Sequence, residues 1–323
     1  MQQNAAKQRP ADQQTVMNKR RDLLQLALLA GPSLMLGALP ARSVVAQAGS
    51  LQVQSLNSST ALLSGGGCNV LAKKAANGDL LVVDGGLRDH AKDLRRSIER
   101  SLDGKTFATL VNTHWHPEQT GLNEEIGNRR TRIFAHENTR QWLTTDVKRL
   151  WQDDTIKALP ESAQPNEIFY HYGDFAHGND KVEYGYLRQA HTDGDMYVFL
   201  PADNVLHAGG VIATDGWPFM DWWTGGFIGG VVDAIEILLS IANESTVIVP
   251  ATGPVLTRVQ LVEMRDMYAQ IFQRLRTMFM EANTVEQTVA ARPAAEWEAK
   301  YGSADEFINL AHWSLIPHLT PDA

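Results

Sequence analysis

The strongest chemical signal is a pair of histidines one residue apart, in Asn112-Thr113-His114-Trp115-His116-Pro117-Glu118-Gln119-Thr120-Gly121. Two imidazoles at this spacing look like half of a metal site. Glu118 and Gln119 follow where a second pair of good ligands would complete it. Two further places combine polar chemistry with a turn. One is Ala190-His191-Thr192-Asp193-Gly194-Asp195; the other is a pair of loops, His207-Ala208-Gly209-Gly210 and Pro250-Ala251-Thr252-Gly253-Pro254. A metal-assisted hydrolysis and an inert cleft that keeps only the outline of one are both open at this level.

Each of these stretches lies where a strand meets a loop, which is where a rigid sheet holds reactive groups. FATLV runs into His114, MYVFLP follows Asp195, NVL precedes His207 and STVIV precedes Pro250. Upstream, LQVQSLN, TALLSG, NVLAKKA and DLLVVDGG are short apolar runs parted by Ser, Gly and Asn-Gly, as in consecutive hairpins. RDHAKDLRRSIERSL has apolar residues at helical spacing, RIFAH is a strand, and HENTRQWLTTDVKRLW is expected to be largely helical. EIFYHYG and KVEYGYLRQA are strands, and a helix is expected over 231–242. A long helix over 255–280 aligns Met264, Met267, Tyr268, Ile271, Leu275 and Met278 on one face, a stripe suited to core packing. Strands and helices mixed in this way indicate one α/β or α+β domain.

The 323 residues carry a formal charge of −8, which argues against nucleic acid as a partner. The single cysteine, Cys68, excludes an intrachain disulfide and a cysteine-built zinc site. Residues 1–48 have the form of an export signal: Lys19-Arg20-Arg21, the apolar segment LALLAGPSLMLGALPA, then Ala46-Gln47-Ala48 as a small-residue cleavage site. The paired arginines before Asp22-Leu23-Leu24 resemble a bacterial twin-arginine signal, although Lys19 stands where Ser or Thr is commoner. Gly31, Pro32, Gly37 and Pro40 make the segment a poor membrane span. The expectation is a periplasmic protein of residues 49–323, not held in the membrane after cleavage.

In order, spacing and strand context these motifs resemble the metallo-β-lactamase superfamily of hydrolases, from about Gln52 to Pro254. The family's loops read T-H-x-H-x-D-H-x-G, G/A-H-T, G-D and G-H-G-P, with an Asp-Gly pair that is Asp84-Gly85 here. The resemblance implies a four-layer αβ/βα sandwich, followed here by a C-terminal helical extension. It also implies that His114, His116 and His191 are the ligands of a first zinc. At the second site this chain departs from the family: Glu118 replaces Asp, Gln119 and Thr252 replace His, and Gly210 replaces the bridging Asp. Two dications about 3.5–4 Å apart need a bridging negative charge, so at most one zinc per chain is expected.

The resemblance thus implies a single-zinc hydrolase of a small-molecule ester, lactone, thioester or amide, with Glu118 as general base. The competing class is a non-catalytic protein that binds a small ligand or a partner in the same cleft. Trp217, Phe219, Trp222 and Trp223 either line an apolar pocket there or pack beneath a loop. Asp215 and Asp221 are the carboxylates near enough in sequence to replace the missing bridge, while Asp193 and Asp195 suit turn capping. His90, His136, His171, His177, His207, His312 and His318 lack ligand partners at sensible spacing and are expected to be structural or solvated.

Overall fold

The computed structural model describes residues 51–320 except 129 and 150–153; the export segment expected over 1–48 lies outside the described residues. The described residues from Leu51 to Leu319 cluster as one unit. Four antiparallel strands open it: β1 (Gln52–Ser55), β2 (Thr60–Ser64), β3 (Val70–Lys74) and β4 (Asp79–Val83). Helix α1 (Ala91–Leu102) crosses to β5 (Thr106–Asn112), which pairs parallel to β4. The short helices α2 (Pro117–Thr120) and α3 (Leu122–Ile126) lead to β6 (Arg132–His136), and α4 (Glu137–Leu143) follows. A small hairpin, β7 (Val147–Arg149) and β8 (Asp154–Ile156), precedes β9 (Glu167–Phe169), which completes a seven-stranded sheet beside β6.

The second sheet has five strands in sequence order: β10 (Tyr172–His177), β11 (Asp180–Tyr186), β12 (Met196–Leu200), β13 (Val205–His207) and β14 (Val247–Val249). Helices α5 (Ile228–Ile241) and α6 (Arg258–Met280) cover it, joined by α7 (Val285–Ala290), α8 (Glu298–Tyr301) and α9 (Asp305–Leu319). Thr257 and Gln260 form a reciprocal cap that starts α6.

Strand alternation builds the layers. In β4, Leu80 and Val82 face α1, where they meet Leu94 and Ile98, while Leu81 and Val83 face the other sheet. Phe134 and Val111 meet Val182, Met196 and Val198 between the sheets. Beyond the second sheet, Leu206 and Ile248 join Ile235, Met264, Tyr268, Ile271, Phe307 and Leu315. Three apolar interfaces therefore separate four layers, as expected of this fold. The methionine-rich face of α6 is core: Met264, Met267, Tyr268, Ile271 and Leu275 are buried there.

One expected element is different. Helix α4 stops at Leu143, and the residues beyond it form the β7–β8 hairpin. Thr144, Thr145 and Val147 are β-branched and lose side-chain freedom in a helix, so the chain leaves it where they begin.

Candidate metal centre

The three histidines converge, although His191 lies 75 residues beyond His116. His114 and His116 follow β5 directly, and Pro117 begins α2, where a missing N–H costs nothing. His191 comes from the loop between β11 and β12. Their ring centroids are mutually 4.8 Å apart, and one nitrogen from each lies within 4.8 Å of the others. His114 and His191 are buried, and the His116 side chain is 12 % exposed.

Neighbouring groups fix how each ring is held. Asp84, just past β4 at φ 63, accepts the Thr113 backbone N–H at 2.8 Å and the Thr113 hydroxyl at 2.8 Å. With its proton thus committed, Thr113 Oγ1 accepts from His114 Nδ1 at 3.2 Å, so the Nε2 lone pair of His114 is left to bind. His116 donates from Nε2 to Asp221 Oδ2 at 2.9 Å, which directs its Nδ1 lone pair inward. Asp221 also accepts the Thr224 hydroxyl at 2.6 Å, and Thr224 accepts the indole N–H of buried Trp115 at 3.2 Å. Asp195 receives the backbone N–H groups of His191 and Thr192, both at 2.6 Å, and so shapes the loop that carries the third ring.

The electrostatics suit cation binding. Burial, then the proximity of the other histidines, lowers the pKa of His114 well below the ordinary range. Burial and His116 bring His191 down to about 3. Burial also opposes charge on His116, but the hydrogen bond and charge of Asp221 outweigh it and raise its pKa. Asp221 responds in kind: burial raises its pKa, and the His116 contact more than reverses this. Burial lifts Asp84 to about 8 and Asp195 to about 7 despite the bonds each accepts.

His116 Nδ1 and His191 Nε2 face each other at 3.0 Å. Two lone pairs cannot meet at that distance, so a proton or a cation must stand between them. Three converging imidazoles, two of them with anchored outer nitrogens, fit one divalent ion of the zinc type, while Nδ1 of His191 is buried without a hydrogen-bond partner.

The second site has no comparable geometry. A Cβ on Gly210 would stand 2.6 Å from His191 Cδ2 and 2.7 Å from His114 Cε1, so the first-site rings occupy the place of a side chain there. Thr252 donates its hydroxyl to Asp215 at 2.6 Å, and both lie outside the histidine cluster. Gln119 is buried with Oε1 lacking a hydrogen-bond partner. Glu118 is exposed on α2 and does not join the histidines as a ligand. Asp221, considered from sequence as a replacement bridge, instead holds the outer nitrogen of His116. Asp193 accepts the Trp142 indole N–H at 2.7 Å.

Among the remaining histidines, His136, His177, His207 and His312 are buried. His207 takes the Gly209 N–H on Nδ1 at 3.2 Å and donates from Nε2 to Asn69 O at 3.4 Å. The aromatics of 217–223 divide. Trp217 packs on Phe307 at 4.9 Å and Tyr301 at 5.2 Å, with its N–H on Gly302 O. Phe219 stands edge-on to His116, centroid to centroid 5.9 Å.

A continuous sandwich with three converging histidines at its strand ends defines a metal-dependent hydrolase fold. The sequence pattern of the metallo-beta-lactamase superfamily matches residues 65–252, and the chain belongs to that superfamily. Its fold is similar to that of a metallo-beta-lactamase from Pontibacter korlensis, at 18% identity and TM-score 0.54 over 68% of this chain and 99% of that one. It is also similar to the DIM-1 metallo-beta-lactamase, at 16% identity and TM-score 0.53 over 68% of this chain and 97% of that one. The inverting sec-alkylsulfatase Pisa1 from Pseudomonas sp. gives TM-score 0.63 at 14% identity, over 81% of this chain but 50% of its own length. At such identities the likeness is one of fold.

Proposed function

We propose that the protein is a single-zinc hydrolase of a small-molecule ester, lactone, thioester or amide, acting in the periplasm. The observation that carries the metal reading is the contact of His116 Nδ1 with His191 Nε2, with the outer nitrogen of His116 held by Asp221. His114, His116 and His191 would hold the ion, which when bound polarises a carbonyl or related oxygen and lowers the pKa of water. Thr113 and Asp221 keep two of the rings in the tautomer that binds. Glu118, exposed in the same loop, takes the proton from the attacking water. The alkylsulfatase neighbour adds sulfate esters to the substrates to be tried.

The experiment is metal analysis of purified mature protein, followed by assays on p-nitrophenyl esters, a thioester, a lactone, a β-lactam and an alkyl sulfate. About one zinc per chain, and turnover lost in His116→Ala and Glu118→Gln, is the expected result. Glu118 is exposed and is not one of the clustered side chains, which favours the second reading, a non-catalytic binding protein. Zinc without turnover of any substrate would select it.

A further inference from the structure

Trp115 stands in sequence between two of the clustered histidines, yet its ring belongs to a separate apolar group. It is buried and packs with Leu143 of α4, Val147 of β7 and Ile156 of β8. Its one polar atom reaches the loop of Asp221: the indole N–H donates to Thr224 Oγ1 at 3.2 Å. The next residue, His116, donates to Asp221 Oδ2 at 2.9 Å. Adjacent side chains of one loop therefore grip both ends of the turn Asp221–Thr224. A single bond would leave that loop free to swivel about it, and two bonds fix its orientation.

Thr224 is itself held on every side. It is buried, its backbone N–H goes to Asp221 O at 3.2 Å, and its carbonyl accepts the Asp193 N–H at 2.8 Å. Asp193 accepts in turn from the indole of Trp142, whose ring lies 5.9 Å from that of Trp115. The direction of the Thr224 hydroxyl is then forced. An indole N–H only donates, so Oγ1 accepts from Trp115 and its own proton goes to Asp221 Oδ2 at 2.6 Å. With that proton aimed at it, Oδ2 is an acceptor, and its bond to His116 is made by Nε2–H. Nδ1, on the side that faces His191, is left for a cation.

We propose that Thr224 is a positioning residue for His116, with Trp115 as the donor that sets its hydroxyl. The residue acts only through Asp221. Removing the hydroxyl leaves Oδ2 with one donor in place of two and the buried indole N–H with no acceptor, so the ring of His116 loses its fixed direction. The assignment rests on the single-zinc reading where it concerns a metal, but the hold on the ring is measurable without one.

The test compares Thr224→Val, which keeps the shape and loses both bonds, with Thr224→Ser, which keeps the hydroxyl. Zinc affinity, by competition with a chelator, is expected to fall about tenfold in the valine variant, as for other lost supports of a metal ligand, and to return in the serine variant. The visible bands of the cobalt-loaded protein shift and return in the same way. Trp115→Phe removes only the indole N–H and weakens zinc about threefold, the worth of one neutral hydrogen bond. In the metal-free protein, proton–nitrogen NMR shows a sharp, downfield His116 Nε2–H signal that broadens by water exchange in Thr224→Val and stays sharp in Thr224→Ser. A folded valine variant with wild-type zinc affinity and an unchanged His116 signal, or a serine variant as weak as the valine one, overturns the proposal. Should Thr224→Val not fold, unchanged zinc affinity and an unchanged His116 signal in Trp115→Phe overturn it instead. If the wild type takes up no zinc while the His116 signal responds as expected, the positioning of the ring stands and the metal reading falls.

Discussion

At the residue scale, the packing of His114 and His191 against Gly210 makes a specific demand. Gly210→Ala places a methyl group within 2.6 Å of His191 Cδ2, and the stiff imidazoles must move. Zinc affinity, measured by competition with a chromophoric chelator, is expected to fall at least about tenfold, as for other disturbances of ligand orientation. The same reasoning says that an aspartate at 210 damages the first site before it can build a second. Asp221→Asn removes the charge beside His116 and turns an amide NH2 toward one of the donors that Asp221 accepts; zinc affinity is expected to drop about 10–100-fold and the melting temperature to fall with it. His207 sets a pH dependence. Burial, only partly countered by its bond to Asn69 O, lowers its pKa from 6.5 to about 4. The unfolded chain therefore takes up this proton first, and stability falls as pH drops from about 6.5 toward 4, by about 2–4 kcal/mol from this group. Denaturant unfolding of His207→Gln shows a shallower fall across that window. The convergence of the three histidines was legible because His114 and His116 stand one residue apart after a strand and His191 sits in a loop of the pattern the family uses. The role of Asp221 was not, because it depends on a contact across 105 residues.

Elements were legible where apolar spacing was long and regular, as in α1, α6 and the paired faces of β4. They were misjudged after Leu143, where helical spacing continues into β-branched residues that favour the β7–β8 hairpin. No pattern announces the fastening at the opposite end of the sandwich from the histidines. There Lys73 of β3 lies buried, 2.7 Å from Asp203 in the β12–β13 turn and 2.9 Å from Asp180 at the start of β11. Asp203 also accepts the Thr60 hydroxyl at 2.8 Å, so one cation ties both sheets. Lys73→Met strands two carboxylates, and the cost in chemical denaturation is expected to be about 3 kcal/mol. That is the lower end for a broken buried pair, because Asp180 is 37 % exposed and can rehydrate.

For the whole molecule, the order of motifs was enough to expect four layers, because each motif is tied to a strand end and the strand order follows from the family resemblance. The C-terminal helices lie beyond those motifs, yet α9 contributes Phe307, Ile308, Ala311 and Leu315 to the core of the second sheet. Among the described residues no helix is long and apolar enough to cross a membrane. Export remains a proposal carried by Arg20-Arg21 and Ala46-Gln47-Ala48. With both arginines changed to lysine, immunoblots of cell fractions are expected to show precursor retained in the cytoplasm; a periplasmic product starting near Gly49 would count against the twin-arginine route.

Asp221 gives the molecule an evolutionary constraint. Because the same carboxylate orients His116 and starts the turn that carries Trp222 and Trp223, the length of that turn is not free to drift. An insertion there would loosen His116 as it remodelled the surface beside it. Relatives that keep the histidine cluster are therefore expected to keep the spacing from Asp221 to Gly226 unchanged, whatever side chains they carry between.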